Sequence, residues 1–494
     1  MDGGDPTKTH LVLVPLMEQG HMIPMADLAL LLATRGARVS FITTPVNARR
    51  LRATADRAVE AGLPLRLVEL PFPCAEAGLP QGCENVDLVP SLDLFHSFFH
   101  CLYLLAGPLK QFLLQNVEPR NSPTCIIADQ CLPWTATVAA ELSIPRLIFH
   151  GPSCFFLLCT LLVTRHKLHE KVADEDEIFA VPELSQTIQV NKRQSLRFFQ
   201  WPGFEDFLCQ IETADDTADG FVLNTFYEME PWCIDDYRSA VGKEVWPIGP
   251  VSLCHKDANS KAVRGNGDAA VDHGGVIEWL DAREPRSVLF VSFGSVASTS
   301  PQQLMEIGAA LEATGWPFVW AVKTAEQSSE VEEWATEFKQ RNQGRGMVMK
   351  GWVQQLLILS HPALGGFMTH CGWNSTLEAV AAGVPMVTWP HFADQFLNEK
   401  LVVEVLRTGV AVRVKPPEVY QAGELVEREV VERAMERVMG GGEEGEEMRV
   451  RARELGEKAM KAVEEGGSSY DSLGKLISRA SELSRISAWE PGFS

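Results

Sequence analysis

Two residues far apart in the sequence have the chemical types needed to move a proton. His21 lies in Leu16-Met17-Glu18-Gln19-Gly20-His21-Met22-Ile23-Pro24, directly after an apolar run of strand length, Leu11 to Leu16. Asp129 closes a second such run, Cys125-Ile126-Ile127-Ala128-Asp129. An imidazole, with an unperturbed pKa of about 6.5, can take a proton from a hydroxyl at neutral pH if something stabilises the imidazolium. A carboxylate does that and also orients the ring. If both runs are strands of one parallel sheet, both residues stand at its carboxyl edge. Each has a plainer reading too: a histidine near a helix start, and an aspartate capping the helix before Trp134.

A third segment suits a different task. Gly366-Phe367-Met368-Thr369-His370 reads as a strand running into Cys371-Gly372-Trp373-Asn374-Ser375, with a helix from Ser375. Backbone N–H groups and the positive dipole end at a helix start bind phosphate without lysine or arginine. Alternatives stand beside this. Ser375-Thr376-Leu377-Glu378 has the form of a capping box, Trp352 fits a core position, and Asp394 and Gln395 fit the start of another helix.

The elements that must position these groups alternate in the manner of a parallel sheet. Strands are predicted at Leu11 to Leu16, Arg38 to Thr43, Leu65 to Leu70, Cys125 to Ala128, Arg146 to Phe149 and Gly220 to Asn224. Helices are predicted at Pro24 to Ala33, with proline in the first turn, and at Ala48 to Ala61 and Trp134 to Leu142. The greasy stretch Leu147 to Val163 is interrupted by His150, Pro152 and Ser153, and reads as buried core rather than a membrane span. Residues 255–275 are polar and glycine-containing, a candidate linker. The alternation then resumes with strands at Ser287 to Ser292, Phe318 to Val322, Gly346 to Lys350 and Gly365 to Thr369. The fold class is α/β, two doubly wound Rossmann-like domains facing across a cleft, with ligands expected at the strands' carboxyl ends. The division expected is residues 1–254, the linker, residues 276–465, and a helical segment 466–494 that could pack back on the first domain.

Trp352 to Gln395, including HCGWNST, closely resembles the signature box of plant secondary-product UDP-glycosyltransferases. The GH turn near the start and the SFGS strand end fall in the same order along the chain. The resemblance implies the two-domain GT-B fold and a donor site at the box. By it, Trp352 and Val353 belong to the base subsite, Gln355 and Glu378 hold the ribose, and His370, Asn374, Ser375 and Ser295 meet the diphosphate. Trp373, Asp394 and Gln395 address the sugar, and His21 with Asp129 matches the catalytic dyad. Gln395 resembles glucose-using members, whereas histidine there would suggest galactose. Gln354 stands where the family usually has proline. Phe95, Phe99, His150 and Phe392 are the candidate acceptor-pocket residues, although an apolar helical face of this kind also suits core packing.

Composition narrows the partners. A net charge of −21, from 65 acidic and 44 basic residues, repels nucleic acid and anionic membranes. Eleven scattered cysteines and an opening without a secretory pattern lead us to expect a reduced, cytoplasmic protein. His361, His370, Cys371 and His391 lack zinc-site spacing, so no metal is expected, and no cofactor beyond the UDP-sugar co-substrate. MEQGHMIPM lacks the G-x-G-x-x-G of a dinucleotide enzyme, and no Walker motif occurs. The expectation is therefore a monomeric inverting glucosyltransferase acting on a small apolar acceptor. A non-catalytic nucleotide-sugar binder and a transferase of another UDP-hexose are the alternatives.

Overall fold

The computed structural model describes residues 9–116, 122–195, 203–265, 273–294, 299–322, 329–415 and 424–487. Two parallel sheets organise them. The first contains β1 (His10–Val14), β2 (Arg38–Thr43), β3 (Leu65–Glu69), β4 (Cys125–Asp129), β5 (Arg146–His150), β6 (Phe221–Leu223) and β7 (Val245–Pro247), in the order 3-2-1-4-5-6-7. The second contains β8 (Val288–Ser292), β9 (Phe318–Val322), β10 (Gly346–Lys350), β11 (Leu364–Thr369), β12 (Met386–Thr388) and β13 (Gly409–Ala411), in the order 10-9-8-11-12-13. Strands such as HLVLV and CIIAD are buried at every position, because helices cover both faces of a parallel sheet.

In both sheets the strand order reverses beside the first strand, between β1 and β4 and between β8 and β11. Such a switch point opens a crevice at the carboxyl ends, since the following helices leave to opposite faces. His21 follows β1, Asp129 ends β4, Gly294 follows β8 and His370 follows β11. The topology thus brings four distant segments to one cleft.

Helices that matter to the site are α1 (Gln19–Thr34), α2 (Cys154–Arg165), α3 (Ala258–Val263), α4 (Trp373–Ala381), α5 (Gln395–Lys400), α6 (Glu443–Val463) and α7 (Ser468–Ser487). Leu473, Leu476, Ile477 and Ala480 of α7 join the core of the first sheet with Leu11, Leu147 and Trp246, so the last helix returns to the first sheet. Ser469 Oγ donates to the Gly249 carbonyl there, and the Arg35 guanidinium lies 3.3 Å from the centre of the Tyr470 ring.

Three expectations shift in detail. The first helix starts at Gln19, not Pro24, because Glu18 caps it and proline is tolerated within. Of the linker, residues 266–272 lie outside the described chain, and α3 forms part of the remainder because Asp257 caps it through Ser260 N. The stretch from Leu147 to Val163 divides into β5 and α2, and α2 contributes Phe156, Leu157 and Thr160 to the cleft wall as well as to the core. Among the described residues no helix is long and apolar enough to cross a membrane.

Candidate active site

The first turn of α1 sets the histidine. Glu18 is extended (φ −142, ψ 141), and its carboxylate accepts from His21 N at 3.1 Å, satisfying one of the helix's orphan donors. Pro24 has no N–H to give back to Gly20. The Gly20 carbonyl instead accepts from Asn374 Nδ2, 2.5 Å away on α4, so a proline inside one helix creates an acceptor for the other lobe.

His21 Nδ1 lies 2.7 Å from Asp129 Oδ2, and Asp129 Oδ1 accepts from Cys131 N at 2.9 Å. The carboxylate is 1% exposed and the imidazole 26%, so the pair is buried at its base and open at its tip. With Nδ1–H donated to Asp129, the neutral ring carries its lone pair on Nε2. Gly151 makes room, because a Cβ there would stand 3.2 Å from His21 Cε1. Burial alone would lower the ring's pKa, but Asp129 and then Glu18 and Asp394 overcome it and raise it to about 9. His21, Asp129 and Cys131 are close enough to be metal ligands, yet the histidine and the Cys131 N–H each already use one Asp129 oxygen.

The other lobe presents the start of α4. Its N-cap is Gly372, not Ser375, which decides against the capping-box reading. Ser375 Oγ and Glu378 Oε2 accept instead from Gln355 Nε2, at 3.0 and 2.8 Å, and Arg264 Nη1 donates to Glu378 Oε1. His370 is wedged between glycines: a Cβ on Gly372 would stand 2.4 Å from its Nε2, and one on Gly294 2.6 Å. Burial, with a smaller contribution from His391, pushes its pKa down to about 3, so the ring is neutral. His370 Nδ1 has no hydrogen-bond partner among the described residues. A buried polar atom without a partner is costly.

Trp373 is buried and donates its indole N–H to the Asn224 carbonyl at 2.7 Å, bridging the two lobes. A sugar hydroxyl can therefore meet Trp373 only through its backbone N–H at the helix start. Asn398 donates to Asp394 Oδ2 at 2.7 Å and accepts from Ser153 Oγ at 2.8 Å. Burial raises Asp394 to about 6, a rise that Asn398 and His21 moderate. Gln395 Oε1 accepts from His391 N and Phe392 N at 2.8 and 3.1 Å, which leaves its NH₂ to donate. Gln354 adopts φ −79, within the range a proline would impose, so the turn before Gln355 keeps its shape.

Glu18, His21, Gln355, His370, Trp373 and Glu378 line one cavity of about 910 Å³, large enough for a nucleotide sugar and a second small molecule. His21, Asp394, Trp352, Val353, Phe95 and Phe99 all border it, as does Phe392. His150 does not. It is wholly buried behind the wall, its ring 4.8 Å from Phe221 and 6.3 Å from Tyr237, because the end of β5 directs it into the core. Ser295 lies outside the described residues. Sequence reasoning missed Glu18, Gly151, Asn224, Arg264 and Asn398. Only Glu18, an acidic residue before a helix start, carried a local signal.

Residues 7–253 match the family described as "Glycosyltransferase, N-terminal domain", and residues 271–438 match "UDP-glucoronosyl and UDP-glucosyl transferase". UDP-glycosyltransferase 73C6 of Arabidopsis thaliana is 44% identical over 491 residues, 97% of this chain and 98% of that one. The chain belongs to the plant UDP-glycosyltransferase family. Among solved structures, UGT73P12 of Glycyrrhiza uralensis, complexed with glycyrrhetinic acid 3-O-monoglucuronide, superposes with a TM-score of 0.89 at 34% identity, covering 97% of each chain. UGT2 of Phytolacca americana, complexed with UDP-2fluoro-glucose and pterostilbene, gives 0.74 at 27% identity, covering 96% of this chain and all of that one. This glycosyltransferase therefore has the GT-B architecture, with its two sheets meeting at the cleft described above.

Proposed function

We propose that this glycosyltransferase moves glucose from UDP-glucose to a hydroxyl of a small apolar plant metabolite, with inversion at the anomeric carbon. The observation that carries the reading is the His21–Asp129 pair at 2.7 Å, whose histidine borders the same cavity as the start of α4. The acceptor oxygen attacks the anomeric carbon while the bond from that carbon to the UDP phosphate oxygen breaks. The proton goes to His21 Nε2, Asp129 stabilises the imidazolium, and the electron pair leaves with UDP. The start of α4 and neutral His370 donate hydrogen bonds to the departing diphosphate.

We assign the remaining roles as the resemblance of the signature box implies. Trp352 and Val353 form the base platform, Gln355 and Glu378 take the ribose hydroxyls, and Asn374, Ser375 and Ser295 meet phosphate. Asp394, Gln395 and the Trp373 backbone hold the hexose. Phe95, Phe99 and Phe392 give the acceptor an apolar wall, for which the pterostilbene of the Phytolacca complex supplies a precedent. The chemistry uses no metal, and we place the enzyme in the cytoplasm as a monomer. Incubation with UDP-glucose and a panel of phenolic, steroidal and triterpenoid alcohols, read by mass spectrometry, tests the reading. A product 162 mass units heavier, about one anhydrohexose, supports it; hydrolysis of UDP-glucose without any glycoside across the panel refutes it.

A further inference from the structure

We propose that Arg264, on the segment joining the two sheets, is a positioning residue that holds Glu378 for the donor's ribose and ties it to the helix bearing His21. The inference rests on the donor-site reading above and adds a residue outside the signature box.

Arg264 is the C-cap of α3, and the chain then passes between the lobes at Gly265, whose φ is +83. A Cβ on Gly265 would stand 2.7 Å from Ile23 Cδ1 and 2.8 Å from Trp352 Cζ2. Only glycine fits both the left-handed backbone and that gap. The joining segment therefore runs against the base platform itself, and it delivers the preceding side chain to the ribose end of the cleft.

Arg264 is 10% exposed and makes two kinds of contact. Its Nε and Nη2 each lie 2.8 Å from Asp27 Oδ2, and its Nη1 lies 2.5 Å from Glu378 Oε1. Asp27 belongs to α1, the helix of His21, and its other oxygen is 2.8 Å from His255 Nε2. Glu378 belongs to α4, and its other oxygen accepts from Gln355. One planar guanidinium thus spans the helix of the base and the helix of the donor. Lysine cannot replace it, since a single ammonium lacks the two-headed fork.

The consequence for binding is specific. An ionised carboxylate has about four lone-pair sites, and Arg264 and Gln355 take one each, leaving sites for two vicinal ribose hydroxyls. Without Arg264, Glu378 is a buried carboxylate with one fixed partner, free to turn away from the ribose or to draw in water. Donor affinity should fall, while acceptor affinity and the His21 chemistry stay nearly as they were. A role confined to stability would lower the melting temperature without separating these parameters.

Steady-state kinetics on the full-length Arg264→Ala, Glu378→Gln and double variants test this, with UDP-glucose varied at saturating acceptor. We expect Arg264→Ala to raise the donor KM by about tenfold, with kcat and the acceptor KM changed by less than about threefold. The double variant should be no worse than Glu378→Gln alone, because both act through one carboxylate. A donor KM within about twofold of the parent in Arg264→Ala, beside a raised one in Glu378→Gln, overturns the proposal and leaves the donor-site reading standing. Independent, additive effects overturn it as well. An unchanged KM in Glu378→Gln removes the donor-site reading and the proposal with it. If Arg264→Ala yields no soluble protein, Arg264→Lys serves, and its smaller rise in KM must likewise vanish in the Glu378→Gln background.

Discussion

Asp129→Asn is the substitution whose outcome the geometry specifies most fully. The Cys131 N–H, 2.9 Å from Asp129 Oδ1, demands an acceptor at that position. An asparagine must therefore place its carbonyl oxygen there and turn its NH₂ toward His21 Nδ1. The reversed amide would set two donors against each other at a buried contact, costing about 1–3 kcal/mol. With the NH₂ donating to Nδ1, the neutral ring carries its hydrogen on Nε2 and cannot accept the substrate's proton. The charge is lost too. Asp129, with smaller contributions from Glu18 and Asp394, raises His21 from 6.5 to about 9 against burial, a net imidazolium stabilisation of about 3 kcal/mol of which Asp129 supplies the largest favourable part. Losing it alone slows a step that generates imidazolium on the order of a hundredfold. With the inverted tautomer, kcat/KM should fall by about 10³ to 10⁴. Asp129→Ala, which forces no tautomer, should lose less. The assay is initial-rate glucoside formation from pH 6 to 10, with UDP affinity measured separately to show an intact donor site. Asp129→Asn activity within about tenfold of the parent, or above that of Asp129→Ala, would rule out this role for Asp129.

Other consequences follow from the same contacts. As the proposed base, His21 must be neutral to act and its pKa is raised to about 9, so parental kcat/KM should climb about tenfold per pH unit above neutrality and level near 9. In stability the sign is opposite: the His21–Asp129 attraction is fully present below about pH 6.5 and is lost as pH rises through 9, so the stability gap between the parent and His21→Gln should close across that interval. Gln395→His removes the acceptor for His391 N and Phe392 N and should cut kcat/KM for UDP-glucose about tenfold. Direct competition between UDP-glucose and UDP-galactose checks this, and an unchanged preference counts against the donor assignment. Trp373→Phe leaves the Asn224 carbonyl buried without its donor and should cost about 1–3 kcal/mol in urea unfolding.

The alternating strands, the helix after His370 and the convergence of His21 with Asp129 were legible because each depends on local pattern. A run such as CIIAD states its own burial, and a histidine or aspartate at its end is placed by the parallel topology. The start of α1 was less so. Pro24 suggested a first turn, but the Glu18 cap moves the start to Gln19, and the proline's effect is to free a carbonyl for Asn374. His150 misled because the end of a strand says nothing about which face a side chain takes until its neighbours, Phe221 and Tyr237, are known. Arg264 was invisible for a different reason. The polar composition of residues 255–275 suggested a join, but the contacts of Arg264 with Asp27 and Glu378 depend on how the lobes meet, which no local period encodes.

In the proposed mechanism one cleft separates two duties, donor capture at the start of α4 and proton removal at His21. His21→Ala tests it most directly when turnover and UDP affinity are measured on the same preparation, by glucoside formation and titration calorimetry. Turnover should fall by about 10³ or more while UDP binding stays within about threefold of the parent. Turnover within about tenfold of the parent, or loss of turnover only in proportion to lost UDP binding, would contradict it.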